Sequence, residues 1–112
     1  MSKENYFGIE KKRYETKRIS EEIDVLYRFI IWSLIDTLKE QMELDYLQVF
    51  EFVTECEHKS LTPQDYELKL VHRQEQPYYK KEYSIPVKSV IDAKIYVIDD
   101  GEQVTMLFAE EY

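Results

Sequence analysis

The chain has 112 residues, of which 44% are hydrophobic and 14% aromatic, and its 15 basic and 23 acidic side chains give a net charge of −8. This length suffices for one domain with its own core, and two glycines and three prolines exclude fibrous and disordered classes. The negative charge repels nucleic-acid phosphates, so generic DNA or RNA binding is not expected, whereas a basic partner stays open.

Cysteine content and hydropathy bear on location. Cys56 is the only cysteine, so no intrachain disulfide can form, whereas small secreted domains often depend on several. The N-terminus lacks a signal-peptide pattern. The longest apolar stretch, residues 29–35, is much shorter than the roughly 20 residues of a membrane span. We therefore expect a soluble cytoplasmic protein without membrane attachment.

The first half of the chain predicts one long helix. Residues 1–10 are mostly polar and are expected to fray, and residues 13–17 have the content of a short strand. Ser20 or Asp24 can then cap a helix, since either side chain can accept an orphan backbone N–H. Apolar residues at three- and four-residue spacing predict the helix itself, namely Ile23, Leu26, Tyr27, Ile30, Ile31, Leu34, Ile35, Leu38 and Met42.

The second half predicts strands. Alternation, or a high content of aromatic and β-branched residues, marks five runs, which are residues 46–53, 66–73, 79–87, 93–98 and 103–108. Residues 54–64 are polar and predict a loop, and Pro86 marks an edge strand or its end. Asp99-Asp100-Gly101-Glu102 separates the last two runs, and an Asp-Gly step between β-rich segments is typical of a hairpin.

These elements predict a single α+β domain with one long amphipathic helix on a five- to six-stranded, mainly antiparallel sheet, in the order β-α-β-β-β-β-β. A helix is about 10 Å wide, whereas five or six strands spaced about 4.8 Å apart make a sheet more than 20 Å wide. Both sheet faces nevertheless carry apolar residues. Three explanations stay open: the sheet curls strongly into a partial barrel, a second subunit covers it, or an aromatic surface awaits a partner. The candidate partner-binding residues are Tyr46, Phe50, Phe52, Tyr83 and Tyr96.

The sequence contains no recognisable catalytic constellation, and no cofactor or metal is expected. Cys56 and His58 share a loop, but one cysteine and two histidines fall short of the four ligands of a structural zinc site. His72-Arg73-Gln74-Glu75 is the densest polar cluster. Its side chains could bind a small polar ligand through His72, Arg73 and Glu75, or hydrogen-bond to one another at a strand end.

Basic residues are concentrated in two places, Lys11-Lys12-Arg13 with Lys17-Arg18 and, far along the chain, Lys80-Lys81. If the first and fourth strands lie close together, these residues form a patch that could bind an anion. Otherwise the lysines protect a solvated sheet edge against aggregation.

Four segments resemble a known family: residues 45–51, His72-Arg73-Gln74-Glu75, residues 97–101 and residues 105–112. They are similar to the domain-of-unknown-function family 960, small proteins of staphylococci and related Gram-positive bacteria, and the likeness covers roughly residues 13–112. The resemblance implies a bacterial cytoplasmic protein and supplies no activity or catalytic residue.

The sequence thus predicts a non-enzymatic protein-interaction module. Its partner would be another protein or a second copy of the chain, bound through the aromatic sheet face or an exposed edge. Two alternatives stay open: a small-ligand or anion-binding protein that uses His72, Arg73 and Glu75, and an acidic mimic of DNA.

Overall fold

A computed structural model describes residues 6–55, 66–87 and 91–112 of the chain. It confirms an α+β fold with six strands, but two helices stand where one was predicted. The elements are β1 (Lys12–Glu15), α1 (Lys17–Glu22), α2 (Val25–Lys39), β2 (Leu47–Glu55), β3 (Tyr66–Gln74), β4 (Tyr79–Val87), β5 (Ala93–Asp99), β6 (Gln103–Phe108) and a closing 3-10 turn (Ala109–Glu111). The predicted loop begins later than expected because β2 continues to Glu55, and residues 56–64 of that loop lie outside the described residues.

The six strands form one open sheet in the order β1-β6-β5-β2-β3-β4. All neighbours are antiparallel except β1 and β6, which run parallel. β1 and β4 are therefore the two edges, and the sheet is not closed into a barrel. This order also keeps Lys11-Lys12-Arg13 and Lys80-Lys81 at opposite edges, so the anion-binding patch that depended on their adjacency does not form.

The break between the two helices lies at Ile23 and Asp24. The backbone of Ile23 leaves the helical conformation (φ −108°, ψ 121°), and the Asp24 carboxylate accepts the N–H of Leu26 at 2.9 Å as the cap of α2. Ser20 lies inside α1, where its hydroxyl donates to the Lys17 carbonyl. Of the two predicted caps, Asp24 is therefore the one that begins the long helix.

The hydrophobic core lies between α2 and one face of the sheet. Phe50 and Phe52 of β2 are 0% and 1% exposed, and α2 buries Ile31, Ile35 and Leu38. Neighbouring strands complete the layer with Leu68, Leu70, Ile95, Val97, Val104, Met106 and Phe108. Each such side chain stabilises the fold by about 1.5–3 kcal/mol relative to exposure, so this face is committed to the core.

The N-terminal segment is anchored at a place where fraying was predicted. Phe7 is 0% exposed and has a positive φ of 64°. Its N–H donates to Asp99 Oδ2 at 2.6 Å, and its carbonyl accepts from Lys39 Nζ at 2.8 Å. Lys11 Nζ donates to the same Asp99 oxygen at 2.8 Å. The described part of this segment is thus held to α2 and β5, and residues 1–5 lie outside the described residues.

The predicted hairpin between β5 and β6 is confirmed. Asp100 Oδ1 accepts the N–H groups of Gln103 and Glu102 at 3.0 Å each, which lowers the pKa of the Asp100 carboxyl. Gly101 has a φ of +103°, a conformation that favours glycine. Asp99, expected only to serve the turn, accepts the Gly101 N–H at 2.8 Å and also holds the N-terminal segment. One buried carboxylate therefore joins the hairpin to the beginning of the described chain.

We expect Asp99→Asn to lower the free energy of unfolding by about 2–4 kcal/mol, because the uncharged amide leaves Lys11 and the Phe7 N–H without the carboxylate that they share. Urea unfolding measures the change. Asp36→Asn is the matched control: Asp36 pairs with Arg13 at the surface, so its loss should cost within about 1 kcal/mol. Equal costs for the two variants would show that the buried carboxylate has no special role.

Candidate partner-binding face

The sheet face turned away from α2, here called the far face, carries large apolar side chains. Strand register sorts these side chains into rows that run across the sheet. One row crosses β1, β6, β5 and β2 and consists of Tyr14, Thr105, Ile98 and Leu47. The next crosses β6, β5, β2 and β3 and consists of Leu107, Tyr96, Val49 and Arg73. The two rows bring the apolar residues together on one half of the face.

These residues form a continuous area, the apolar patch, which consists of Tyr14, Leu47, Val49, Tyr96, Ile98 and Leu107. Tyr14 is 43% exposed, Val49 is 8% exposed, and the other four are half-buried. The C-terminal Tyr112 extends this area, since its ring lies edge-on to Tyr96 with 5.8 Å between centroids. The buried apolar residues of both helices, among them Ile19, Ile31 and Ile35, belong to the core on the opposite face, so neither helix covers the patch.

Charged side chains border the patch, and on the other half of the far face they alternate with Val53, which is 50% exposed, and half-buried Val71. The charged side chains that the structure describes are five basic residues, Lys12, Lys69, Arg73, Lys80 and Lys94, and three acidic residues, Glu51, Glu67 and Glu82. Arg73 forms an ion pair with Glu51, and Lys94 Nζ lies 6.0 Å from the centroid of the Tyr96 ring. The far face is therefore slightly basic in a chain whose net charge is −8.

The predicted aromatic candidates on β2 and β5 lie on opposite faces. Tyr96 is on the far face, whereas Phe50 and Phe52 are core residues that offer no surface to a partner. Phe50 stacks on His72 with 4.2 Å between centroids, and Phe52 packs edge-on against Tyr27 of α2. Both sides of β2 are apolar in the sequence, but the side with two phenylalanines buries more apolar area and therefore faces the helix.

The other two aromatic candidates lie at the margins of the sheet. Tyr46 is 42% exposed, and its ring lies 6.3 Å from that of Tyr6 in the N-terminal segment. Tyr83 is half-buried on the helix side of the edge strand β4, where burial and a hydrogen bond with Tyr79 raise its pKa to about 12. Of the five candidates, only Tyr96 belongs to the apolar patch.

A second exposed apolar area, the helix patch, consists of Val25, Leu26 and Phe29 on α2. These side chains are 66%, 58% and 67% exposed. Leu26 was predicted to belong to the buried stripe. At 3.6 residues per turn, however, it points away from Ile31 and Ile35, which face the sheet.

A buried polar network lies at one end of the core. It joins His72 and Gln74, both members of the predicted polar cluster, to Gln48, which the sequence analysis did not single out. His72 and Gln48 are 0% exposed and Gln74 is 1% exposed. His72 Nε2 lies 2.7 Å from Gln48 Oε1, and Gln48 Nε2 donates to Gln74 Oε1 at 2.6 Å. The Gln74 amide in turn donates to the backbone carbonyls of Glu43 and Pro77. In the sequence, the two glutamines could have been found as polar residues at core positions of two alternating strands. The network joins these strands to the segment before β2.

The proton arrangement of His72 follows from this network. Gln48 Oε1 can only accept, so His72 Nε2 carries the proton of the neutral ring. His72 Nδ1 has no hydrogen-bond partner among residues 6–55, 66–87 and 91–112. Burial of the ring lowers the pKa of His72 from 6.5 to about 4, so the imidazole is neutral near pH 7.

The predicted polar cluster of His72, Arg73 and Glu75 is not brought together in one site. His72 faces the core, Arg73 lies on the far face beside Glu51, and Glu75 is exposed beyond the end of β3. Successive side chains of a strand point to opposite faces, so adjacency in the sequence separates His72 from Arg73.

A cleft of about 370 Å³ lies between α1, the beginning of β5 and the end of β6. It is lined by Arg18, Glu22, Asp92, Ala93, Lys94, Phe108, Ala109 and Glu110. The guanidinium of Arg18 lies 4.4 Å from the centroid of the Phe108 ring and pairs with Glu22 at 3.3 Å and Glu110 at 2.6 Å. Because two carboxylates already neutralise Arg18, the cleft has little attraction for an anion.

Cys56 and His58 lie outside the described residues. Within the part of the chain that the structure describes, no three histidine, cysteine, aspartate or glutamate side chains are grouped so that they could hold a metal ion. The same part contains no helix with the length and apolar content needed to cross a membrane.

Comparison with known proteins relates the chain to one family and one solved fold. The profile of a family described as a staphylococcal protein of unknown function (DUF960) matches residues 12–111. A crystal structure of a protein of unknown function from Enterococcus faecalis is similar over 100% of this chain and 98% of that one, with a TM-score of 0.68 and 19% identity. At this identity the likeness shows the fold alone. No curated protein matches the chain.

The neutral state of buried His72 predicts acid sensitivity. Between pH 6.5 and about 4 the unfolded chain binds a proton at this histidine that the folded chain does not. Stability is therefore fully present above pH 6.5 and falls as the pH approaches 4, by about 3 kcal/mol. Urea unfolding across this range should show the loss, and His72→Gln should remove that part of it while carboxylate titration remains in both proteins. Identical pH profiles would contradict the assignment.

Proposed function

Since the chain belongs to the DUF960 family, whose function is unknown, we propose from its own surface that it is a non-enzymatic protein-interaction module. The far face is the binding surface, and the apolar patch is its centre. The cytoplasmic location expected from the single cysteine is part of this proposal.

The observation that carries the proposal is the apolar patch itself. It comprises six large side chains on four adjacent strands, on the face that neither helix covers. A contiguous apolar area with a polar rim is typical of a protein-interaction site. Tyrosine and arginine, which are enriched in such sites, are present as Tyr14, Tyr96 and Arg73.

The sheet edges support a face-on rather than an edge-on partner. β1 is only four residues long. β4 is longer, but it carries Lys80 and Lys81, and Pro86 lacks the N–H that an added strand would need. Charges and a proline at an edge oppose the addition of a further strand, so within the sheet the face with the apolar patch is the better binding surface than either edge.

The proposal is tested by affinity capture from the organism that encodes the chain, with the full chain as bait. We expect the wild type to retain a partner. Tyr96→Ala and Leu107→Ala should each bind this partner at least about tenfold more weakly, because both substitutions remove contact area at the centre of the patch. Thermal melting must show that the variants are folded.

Phe29→Ala is the matched control, since it removes an exposed ring from the helix patch and leaves the far face intact. It should keep the partner. Capture of the same proteins by all baits, or loss of the partner with Phe29→Ala alone, would overturn the proposal.

A further inference from the structure

We infer that the occupant of the far face is an acidic amphipathic segment of another protein, in which apolar side chains lie between carboxylates. This inference rests on the proposed function and adds the chemical class of the partner. The charge of the far face and the size of the apolar patch carry it.

The uncompensated charge on the far face is positive. The ion pair of Arg73 with Glu51 is neutral. Among the other described charged residues of the far face, four lysines (Lys12, Lys69, Lys80 and Lys94) outnumber two glutamates (Glu67 and Glu82). Lys12, Lys80 and Lys94 form no ion pair within the described ranges 6–55, 66–87 and 91–112. A partner therefore gains most from carboxylates at these three positions.

The three lysines lie beside residues of the apolar patch or in the same row of the sheet, so one bound segment could contact both the lysines and the patch. Lys12 is the next far-face residue to Tyr14 on β1, and Lys94 is the next to Tyr96 on β5. Lys80 continues the row of Tyr96, Val49 and Arg73 to the edge strand β4. An apolar side chain in the patch would thus bring its acidic neighbours in sequence to basic side chains at the rim.

The size of the patch favours a segment over a second copy of the chain. Four strands and two rows cover roughly 20 by 10 Å, an area on the order of 200–300 Å². A stable dimer needs about 800 Å² from each partner, so most of its interface would have to come from the charged residues around the patch. A symmetric dimer would also place the same basic rim against itself, which costs free energy.

A nucleic acid fits this face less well than an acidic segment. Single strands bind largely by stacking bases on open aromatic rings. Tyr96 is instead met edge-on by Tyr112 at 77°, and the neighbouring patch residues Leu47, Ile98 and Leu107 are aliphatic.

The test is a titration of the ¹⁵N-labelled full chain with two short peptides that share the same leucine spacing, one with glutamate and one with lysine at the other positions. The glutamate peptide should shift amide resonances of the far-face strands and bind at least about fivefold more tightly than the lysine peptide. Its affinity should fall as salt is raised.

Charge reversal supplies the matched variants. Lys94→Glu and Lys80→Glu should each lower the affinity for the glutamate peptide by about fivefold. Lys17→Glu on α1, an exposed lysine beside Glu21, should leave binding unchanged. The inference is overturned if the lysine peptide binds equally well, if the shifts map to the helix patch, or if a single-stranded oligonucleotide binds the far face more tightly than either peptide.

The two proposals fail separately. If Tyr96→Ala and Leu107→Ala release a captured partner but the peptide titration shows no preference for glutamate, the far face is a docking surface for a different chemistry. If those variants release nothing, the proposed function itself is wrong.

Discussion

A single helix of 15 residues can cover only one side of a six-stranded sheet, and the other features of this molecule depend on that constraint. α2 is about 22 Å long and about 10 Å wide, and its buried residues meet the side of β2 that carries Phe50 and Phe52. On the opposite side, Leu47 and Val49 lie beside Ile98 and Tyr96 of β5. The half of the far face that includes β5 and β6 is therefore apolar, since the strands that bury one side in the core carry apolar residues on the other side as well.

Polar interactions, rather than further helices, secure the rest of the fold. Asp99 holds the N-terminal segment and the β5–β6 hairpin through one carboxylate. A second group of side chains, the imidazole of His72 and the amides of Gln48 and Gln74, joins β2, β3 and their flanking loops by hydrogen bonds. These groups are buried on the helix side or beside it. They fix the sheet in place without covering the far face, which remains available to a partner.

The fold follows closely from local patterns, because the alternation of β3 to β6 and the Asp-Gly turn are properties of short segments. The cap at Asp24 was predicted as one of two alternatives for a single helix. The separate helix α1 was missed because Ile23, at helical spacing, was assigned to the long helix although it ends α1. The anchoring of Phe7 was missed because its partners, Asp99 and Lys39, are distant in sequence. No local pattern indicates contacts of this kind.

The site was predicted only in part. The sequence indicated that both faces of the sheet carry apolar residues, but it could not decide against which face the helix packs. Phe50 and Phe52 were therefore assigned to the binding surface together with Tyr96. Tyr14 was missed because the parallel pairing of β1 with β6, which brings it beside Thr105, joins distant parts of the chain. The first outcome depended on the side of the sheet against which α2 packs and the second on strand order, and single-strand periodicity contains neither.

The central claim is that the isolated protein has a far face free to receive another protein. Sedimentation equilibrium of the full chain tests this most directly. The account predicts a single species of 13.7 kDa whose mass does not rise with concentration in the micromolar range. A stable dimer that Leu107→Lys dissociates would show that a second copy already occupies the far face, and would contradict the account.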